Sequence, residues 1–124
     1  AAQLLELALK SDLKNFGSDH LSVAVSQSNL ANVYSELGRY NEAAQLLELA
    51  LKSDLKNFGS DHLSVARSKN NLAHVYIAQK QWNKALPLFE QAYTIFKNWL
   101  GEDHPNTKIV AKNLIYTRER MGKE

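Results

Sequence analysis

Residues 1–24 read AAQLLELALKSDLKNFGSDHLSVA, and residues 43–66 read the same letters in the same order. The offset of 42 persists beyond the identical block, since residues 1–42 and 43–84 agree at 31 of 42 positions. A more divergent third copy keeps Ala85, Leu88, Glu90, Ala92, Gly101, Asp103, His104, Asn113 and Leu114 in register. A fixed period of this length marks a repeat array, in which each unit buries its apolar face only against its neighbours.

Each period holds two helical patterns. From Ala43 the apolar residues fall at Ala43, Leu46, Leu47, Ala50, Leu51, Leu55 and Phe58, one face of a long helix. Asn41 is the expected N-cap and Glu42 suits the positive end of the helix dipole; Lys52 and Lys56 suit the negative end. Gly59 can take the left-handed conformation that ends a helix. In the second pattern Leu63, Ala66, Asn70, Ala73 and Tyr76 share a face, with Asp61 as the expected cap. Turns at Gly38-Arg39 and Lys80-Gln81 reverse the chain.

These patterns predict an all-α fold: an α-solenoid of antiparallel helix pairs with six helices, at roughly 1–16, 19–37, 41–57, 61–79, 83–99 and 104–121. One repeat domain is expected over 1–124. Its units are a second half-unit at 1–18, full units at 19–58 and 61–100, and a terminal capping helix at 104–121. The chain begins within a unit, as a piece of a longer array or an engineered array would.

Composition narrows the class. A net charge of +2 gives no basic stripe for nucleic acid. No apolar run approaches the length that spans a bilayer. With no cysteine there are no disulfides and no thiolate metal sites, and the expected compartment is the cytoplasm. Neither a nucleophile pattern nor a phosphate-binding glycine loop is present, so no enzyme and no cofactor is expected.

The segments Leu30-Ala31-Asn32-Val33-Tyr34, Gly38-Arg39-Tyr40 and Ala43, Leu47, Ala50 resemble the tetratricopeptide repeat (TPR). Leu72, Ala73, Tyr76, Trp82, Ala85, Phe89 and Ala92 occupy the same places in the second unit. The 42-residue period and the Leu-Gly-Glu-Asp-His-Pro segment resemble the long-helix version found in kinesin light chains. The resemblance implies a right-handed superhelix whose inner, concave face is built from the first helix of each unit and holds extended peptides or protein segments. By this resemblance Ala31, Ala43, Ala50, Ala73, Ala85 and Ala92 sit where helices cross most closely. The aromatic residues Tyr34, Tyr40, Tyr76, Trp82, Phe89 and Tyr93 read as core.

The positions that the resemblance places on the inner face form columns. Asn29, Asn71 and Asn113 precede the repeat leucine; Asn32, His74 and Tyr116 follow it by two. Val25, Arg67 and Ile109 stand five before it, and Ser28, Asn70 and Lys112 two before it. An amide offers a donor and an acceptor together, which suits the backbone of an extended peptide. The same asparagines could instead bond neighbouring helix backbone and stabilise the stack. Arg67, Lys69, Asn70, Asn71, His74 and Lys112 make a mildly basic, amide-rich stretch that would favour a carboxylate. The carboxylate clamp of some TPR proteins is incomplete here, because Ser28 stands where its first lysine would be.

The pairs Asp19-His20, Asp61-His62 and Asp103-His104 recur with the repeat. Repeat spacing keeps them from converging on one ion, so they read as caps and packing residues rather than metal ligands. Leu4, Leu5, Leu7 and Leu9 have no preceding helix to cover them and form an expected exposed patch that favours self-association. In the third unit Ile115 and Arg118 replace the repeat's alanine and tyrosine, as in a polar capping helix. Two functions follow: a scaffold that binds a peptide or partner protein on its concave face, or a purely structural or engineered array that self-associates without a specific ligand.

Overall fold

The structure, a computed structural model, describes residues 2–17 and 21–123. Six helices make up these residues: α1 (Ala2–Phe16), α2 (Leu21–Glu36), α3 (Tyr40–Phe58), α4 (Leu63–Ala78), α5 (Trp82–Leu100) and α6 (Pro105–Lys123). Each predicted helix is present, displaced by three residues or fewer at its ends. No strand occurs among the described residues. Residues 1–60 and 61–124 form two compact units.

In the first unit α2 packs on both α1 and α3. Its core joins Val23, Leu30, Ala31 and Tyr34 of α2 to Ala43, Leu47 and Ala50 of α3. The alanines are completely buried, as close helix crossing requires. Identical sequence meets two environments here. Leu47 of α3 is 1% exposed, whereas its copy Leu5 in α1 is half-buried; Ala50 is buried, whereas its copy Ala8 is exposed. The difference lies in the surroundings, not the sequence: α3 packs extensively on α2, and α1 packs on it less. The expected apolar patch is consequently smaller than its four leucines: Leu4 (73% exposed) and Leu7 (65%) lie open, while Leu9 is buried against the core.

In the second unit α5 packs on α4 and on α6. Val65, Ala66, Leu72, Ala73 and Tyr76 of α4 meet Trp82, Ala85, Phe89, Ala92 and Phe96 of α5, with Val110 and Leu114 of α6. Burying a side chain such as Phe89 contributes about 1.5–3 kcal/mol. Pro87 lies within α5 without ending it, although it removes one backbone hydrogen bond. Ile115 and Arg118 of α6 are exposed.

Two expected caps are corrected. Asn41 is not an N-cap: α3 begins at Tyr40 and is capped by Arg39, whose side chain bonds Glu42 rather than a helix amide. Nor does Asp61 cap α4. The N-cap is His62, whose Nδ1 accepts a hydrogen bond from the Ser64 N–H at 3.0 Å. His104 accepts from the Asn106 N–H in the same way, at 3.1 Å. A neutral imidazole nitrogen is an acceptor, so histidine does here what a carboxylate does at other helix starts. Gly59 ends α3 at φ 83°, in the left-handed region, with its N–H on the Leu55 carbonyl. Asp19 and His20 lie outside the described residues.

Candidate functional site

Helix α4 turns Val65, Ala66, Leu72, Ala73 and Tyr76 into the core. Arg67, Asn70, Asn71 and His74 follow one another at i, i+3, i+4 and i+7, which places them along one adjoining strip. The first three line a cavity of about 240 Å³ together with Phe96 of α5 and Asn106, Ile109 and Val110 of α6. Phe96 and Val110 are buried, and Arg67 and Ile109 are exposed. The site therefore has an apolar base and a polar rim carrying a fixed positive charge.

The Asn70 Oδ1 atom is buried and has no hydrogen-bond partner among the described residues. An unsatisfied buried acceptor of this kind costs about 1–3 kcal/mol. A ligand N–H that reached it would recover that cost. Thr107 Oγ1 of α6 is likewise buried without a partner. Lys69, read with Arg67 as part of a basic stretch, is half-buried; burial pulls its ammonium below the ordinary lysine value, and Asp61 partly opposes this.

His74 and Asn113 meet across the unit, with Asn113 Nδ2 3.1 Å from His74 Nε2. The Asn113 side chain thus engages a residue of another helix, His74 of α4. The edge of the His74 ring also packs on Phe89 at 5.5 Å between centroids, with the planes at 84°. Although much of the residue still meets solvent, this cover pushes the imidazole pKa below its ordinary value, desolvation being the cause.

Tyr116 belongs to a different cluster. Its ring stacks on Trp82 at 6.1 Å and carries the Arg120 guanidinium 5.1 Å from its centroid. Beside it a cavity of about 420 Å³ is lined by Lys80, Gln81, Trp82, Asn83, Lys84 and Met121. Lys112 is exposed on α6 and lines neither cavity.

Of the expected inner-face residues in the first unit, Asn29 and Asn32 are exposed on α2, and Ser28 is half-buried. The structure therefore brings together Arg67, Asn70 and Asn71, separately pairs His74 with Asn113, and leaves Lys112 and Tyr116 outside both groups. Sequence reasoning missed Phe96, Asn106 and Val110 as lining residues. Phe96 and Val110 read as core in any helical pattern. Asn106, in the first turn of α6, carried no signal beyond its polarity.

Among the described residues no three His, Asp or Glu side chains gather as metal ligands. No helix among them is long and apolar enough to cross a membrane.

Comparison with known proteins agrees with the repeat register. The family model for the tetratricopeptide repeat matches residues 1–56 and 64–123. No curated protein matches the chain. Among solved structures, the kinesin-light-chain-type protein of Podosopora anserina with nearly identical TPR-like repeats is 31% identical, with a TM-score of 0.92, over 98% of this chain and 57% of that one. BtubC (BKLC) from P. vanneervenii is 27% identical, with a TM-score of 0.90, over 98% of this chain and 48% of that one. The chain thus spans about half the length of the solved chains it matches. Proteins of this kind are typically interaction scaffolds without enzymatic activity. With the model covering both units and the kinesin-light-chain-like structures matching the helices throughout, the chain belongs to the tetratricopeptide repeat family.

Proposed function

We propose that the chain is a non-enzymatic, cytoplasmic scaffold that holds an extended peptide or a segment of a partner protein on its inner face. The residues assigned to contact are Asn29, Asn32, Arg67, Asn70, Asn71, His74, Lys112, Asn113 and Tyr116. The observation that carries this reading is the cavity at Arg67, Asn70 and Asn71, in which a buried acceptor has no protein partner. An extended peptide carries N–H donors along its whole length and is suited to supply one. Arg67 on the rim favours a ligand with an acceptor or carboxylate next to that donor.

The test is retention of partners by immobilised protein. The double variant Arg67→Ala, Asn71→Ala should lose most of the retained peptide while keeping its helical circular dichroism. Equal retention by both proteins would refute the assignment.

A second reading, a structural array that self-associates, is favoured by the exposure of Leu4 and Leu7 on α1. It requires a mass above the monomer by light scattering, reduced by Leu4→Lys with Leu7→Lys. A monomer at all concentrations would exclude it.

A further inference from the structure

We infer that His74 and Asn113 form a proton-operated reversal: neutral His74 holds Asn113 Nδ2 and leaves Asn113 Oδ1 as the remaining acceptor of the amide, whereas protonated His74 turns the amide over and leaves its donor beside a positive charge. The consequence for ligands rests on the peptide-binding reading above; the reversal does not.

The chemistry follows from the contact. Asn113 Nδ2 carries only hydrogens to offer, so His74 Nε2, 3.1 Å away, must accept and the ring proton must sit on Nδ1. Protonation makes both ring nitrogens donors. Two donors then face each other at hydrogen-bonding distance, which is repulsive. The terminal torsion of asparagine is broad and roughly two-fold, so a half-turn is an accessible response. After it, Oδ1 accepts a charge-assisted bond from the imidazolium, stronger than the neutral bond it replaces.

The surroundings leave the pair to respond to solvent protons alone. From α5, Phe89 packs on the ring, and Glu90 is engaged by Arg118. From α6, Lys112 precedes Asn113 in sequence and Tyr116 follows one turn later; Tyr116 is stacked on Trp82. On α4, Lys69 and Arg67 stand five and seven residues before His74. None of these groups contributes to the displaced pKa of His74, which comes from burial. The corresponding residue of the first unit is Asn32, so the device is confined to the second unit. At neutral pH this part of the inner face suits an N–H of a ligand. In mild acid it suits a carbonyl or carboxylate.

Nuclear magnetic resonance of labelled protein without ligand tests this, with the side-chain amide of Asn113 followed from about pH 7.5 to about pH 5. The Asn113 NH₂ resonances should move together with the His74 ring resonances, with one midpoint below the ordinary histidine value. In His74→Asn, which copies the first unit, they should stay still. Asn113 resonances that do not move while the His74 ring titrates would overturn the inference, as would Asn113 resonances that move equally in His74→Asn. An immobilised random-peptide library separates the two proposals. Coupled titration with no peptide retained upholds the reversal and removes the peptide reading. Retention with an uncoupled Asn113 does the opposite.

Discussion

The Arg118 guanidinium of α6 lies 3.2 Å from the Glu90 carboxylate of α5, at the repeat position where the first two units carry Tyr34 and Tyr76. Glu6 stands at the position of Glu90 two array steps back, and its carboxylate acts on the Tyr34 phenol. The phenol pKa of Tyr34 is raised, first by burial and then by Glu6. The repeat therefore keeps its glutamate and changes what stands opposite it: a buried phenol on α2, an exposed cation on α6. The charge meets water on the face that Ile115, 55% exposed, also occupies.

The two partners should differ in their response to salt. Arg118→Ala removes an exposed ion pair and is expected to cost at most about 1 kcal/mol, less at high ionic strength. Tyr34→Phe removes the hydroxyl of a buried residue whose phenol is acted on by Glu6, and should cost about 0.5–1.5 kcal/mol, with little salt dependence. Urea midpoints at low and high salt distinguish them. A larger, salt-sensitive loss for Tyr34→Phe would contradict this account.

The exact duplication supplies an internal control on packing. Ala50 is completely buried, whereas Ala8, in the same local sequence, is exposed. Ala50→Leu should overpack and cost about 1–3 kcal/mol, as should Ala73→Leu in the second unit. Ala8→Leu should fall within about 0.5 kcal/mol of the parent. Thermal unfolding followed by circular dichroism is sufficient. Equal losses at positions 8 and 50 would mean that sequence context, and not the neighbouring helix, sets the cost.

At the start of α4 the acceptor is the imidazole of His62, which also lies against the exposed Trp99 ring at 5.6 Å. The Trp99 indole N–H donates to the Asp61 carbonyl at 2.7 Å, so Asp61 acts there through its backbone. His62→Ala should cost about 0.5–2 kcal/mol, as loss of an N-cap does. Asp61→Ala should be nearly neutral, because its carboxylate is not the cap. The reverse ranking in denaturant titrations would restore the aspartate as the capping residue.

The helices were legible because period, spacing and small residues all point to the same register. Ala31, Ala43, Ala50, Ala73, Ala85 and Ala92 are all completely buried, as repeat alignment implies. The caps were less legible, since aspartate is a preferred capping residue and histidine is not; which of Asp61 and His62 turns toward Ser64 is fixed only by loop geometry. The columns of polar positions were legible, but their contacts were not. Asn70 and Lys112 share a column, yet Asn70 lines a cavity with a buried oxygen while Lys112 is exposed. The pairing of His74 with Asn113, 39 residues apart, depends on how α4 and α6 are set by α5, and no local pattern encodes it.

Lys80 occupies the repeat position of Gly38 and takes the same left-handed backbone, at φ 59° against 79°. For a residue with a Cβ this conformation costs about 1–2 kcal/mol, part of which glycine returns through the greater freedom of the unfolded chain. Lys80→Gly should therefore stabilise the protein by about 0.5–1 kcal/mol, measured as a higher urea midpoint with unchanged slope.

The pH dependence of stability carries one further sign. The imidazole of His74 is held below its ordinary value by desolvation, so in acid the unfolded chain binds a proton there before the folded chain does. The contribution of this residue is fully present above the ordinary histidine value of about 6.5 and is lost as pH falls from there through the lower folded value. Relative to the parent, His74→Asn should lose less stability between about pH 7 and about pH 5, because it removes a group that must otherwise be charged in a partly desolvated place. The comparison uses urea midpoints at several pH values. His62 and His104 are unchanged in both proteins, so the difference between the two curves isolates position 74. A parent curve that stays parallel to that of His74→Asn across this range would show that the folded protein does not disfavour the imidazolium relative to the unfolded chain, and the net penalty of its cover by Phe89 would have to be abandoned.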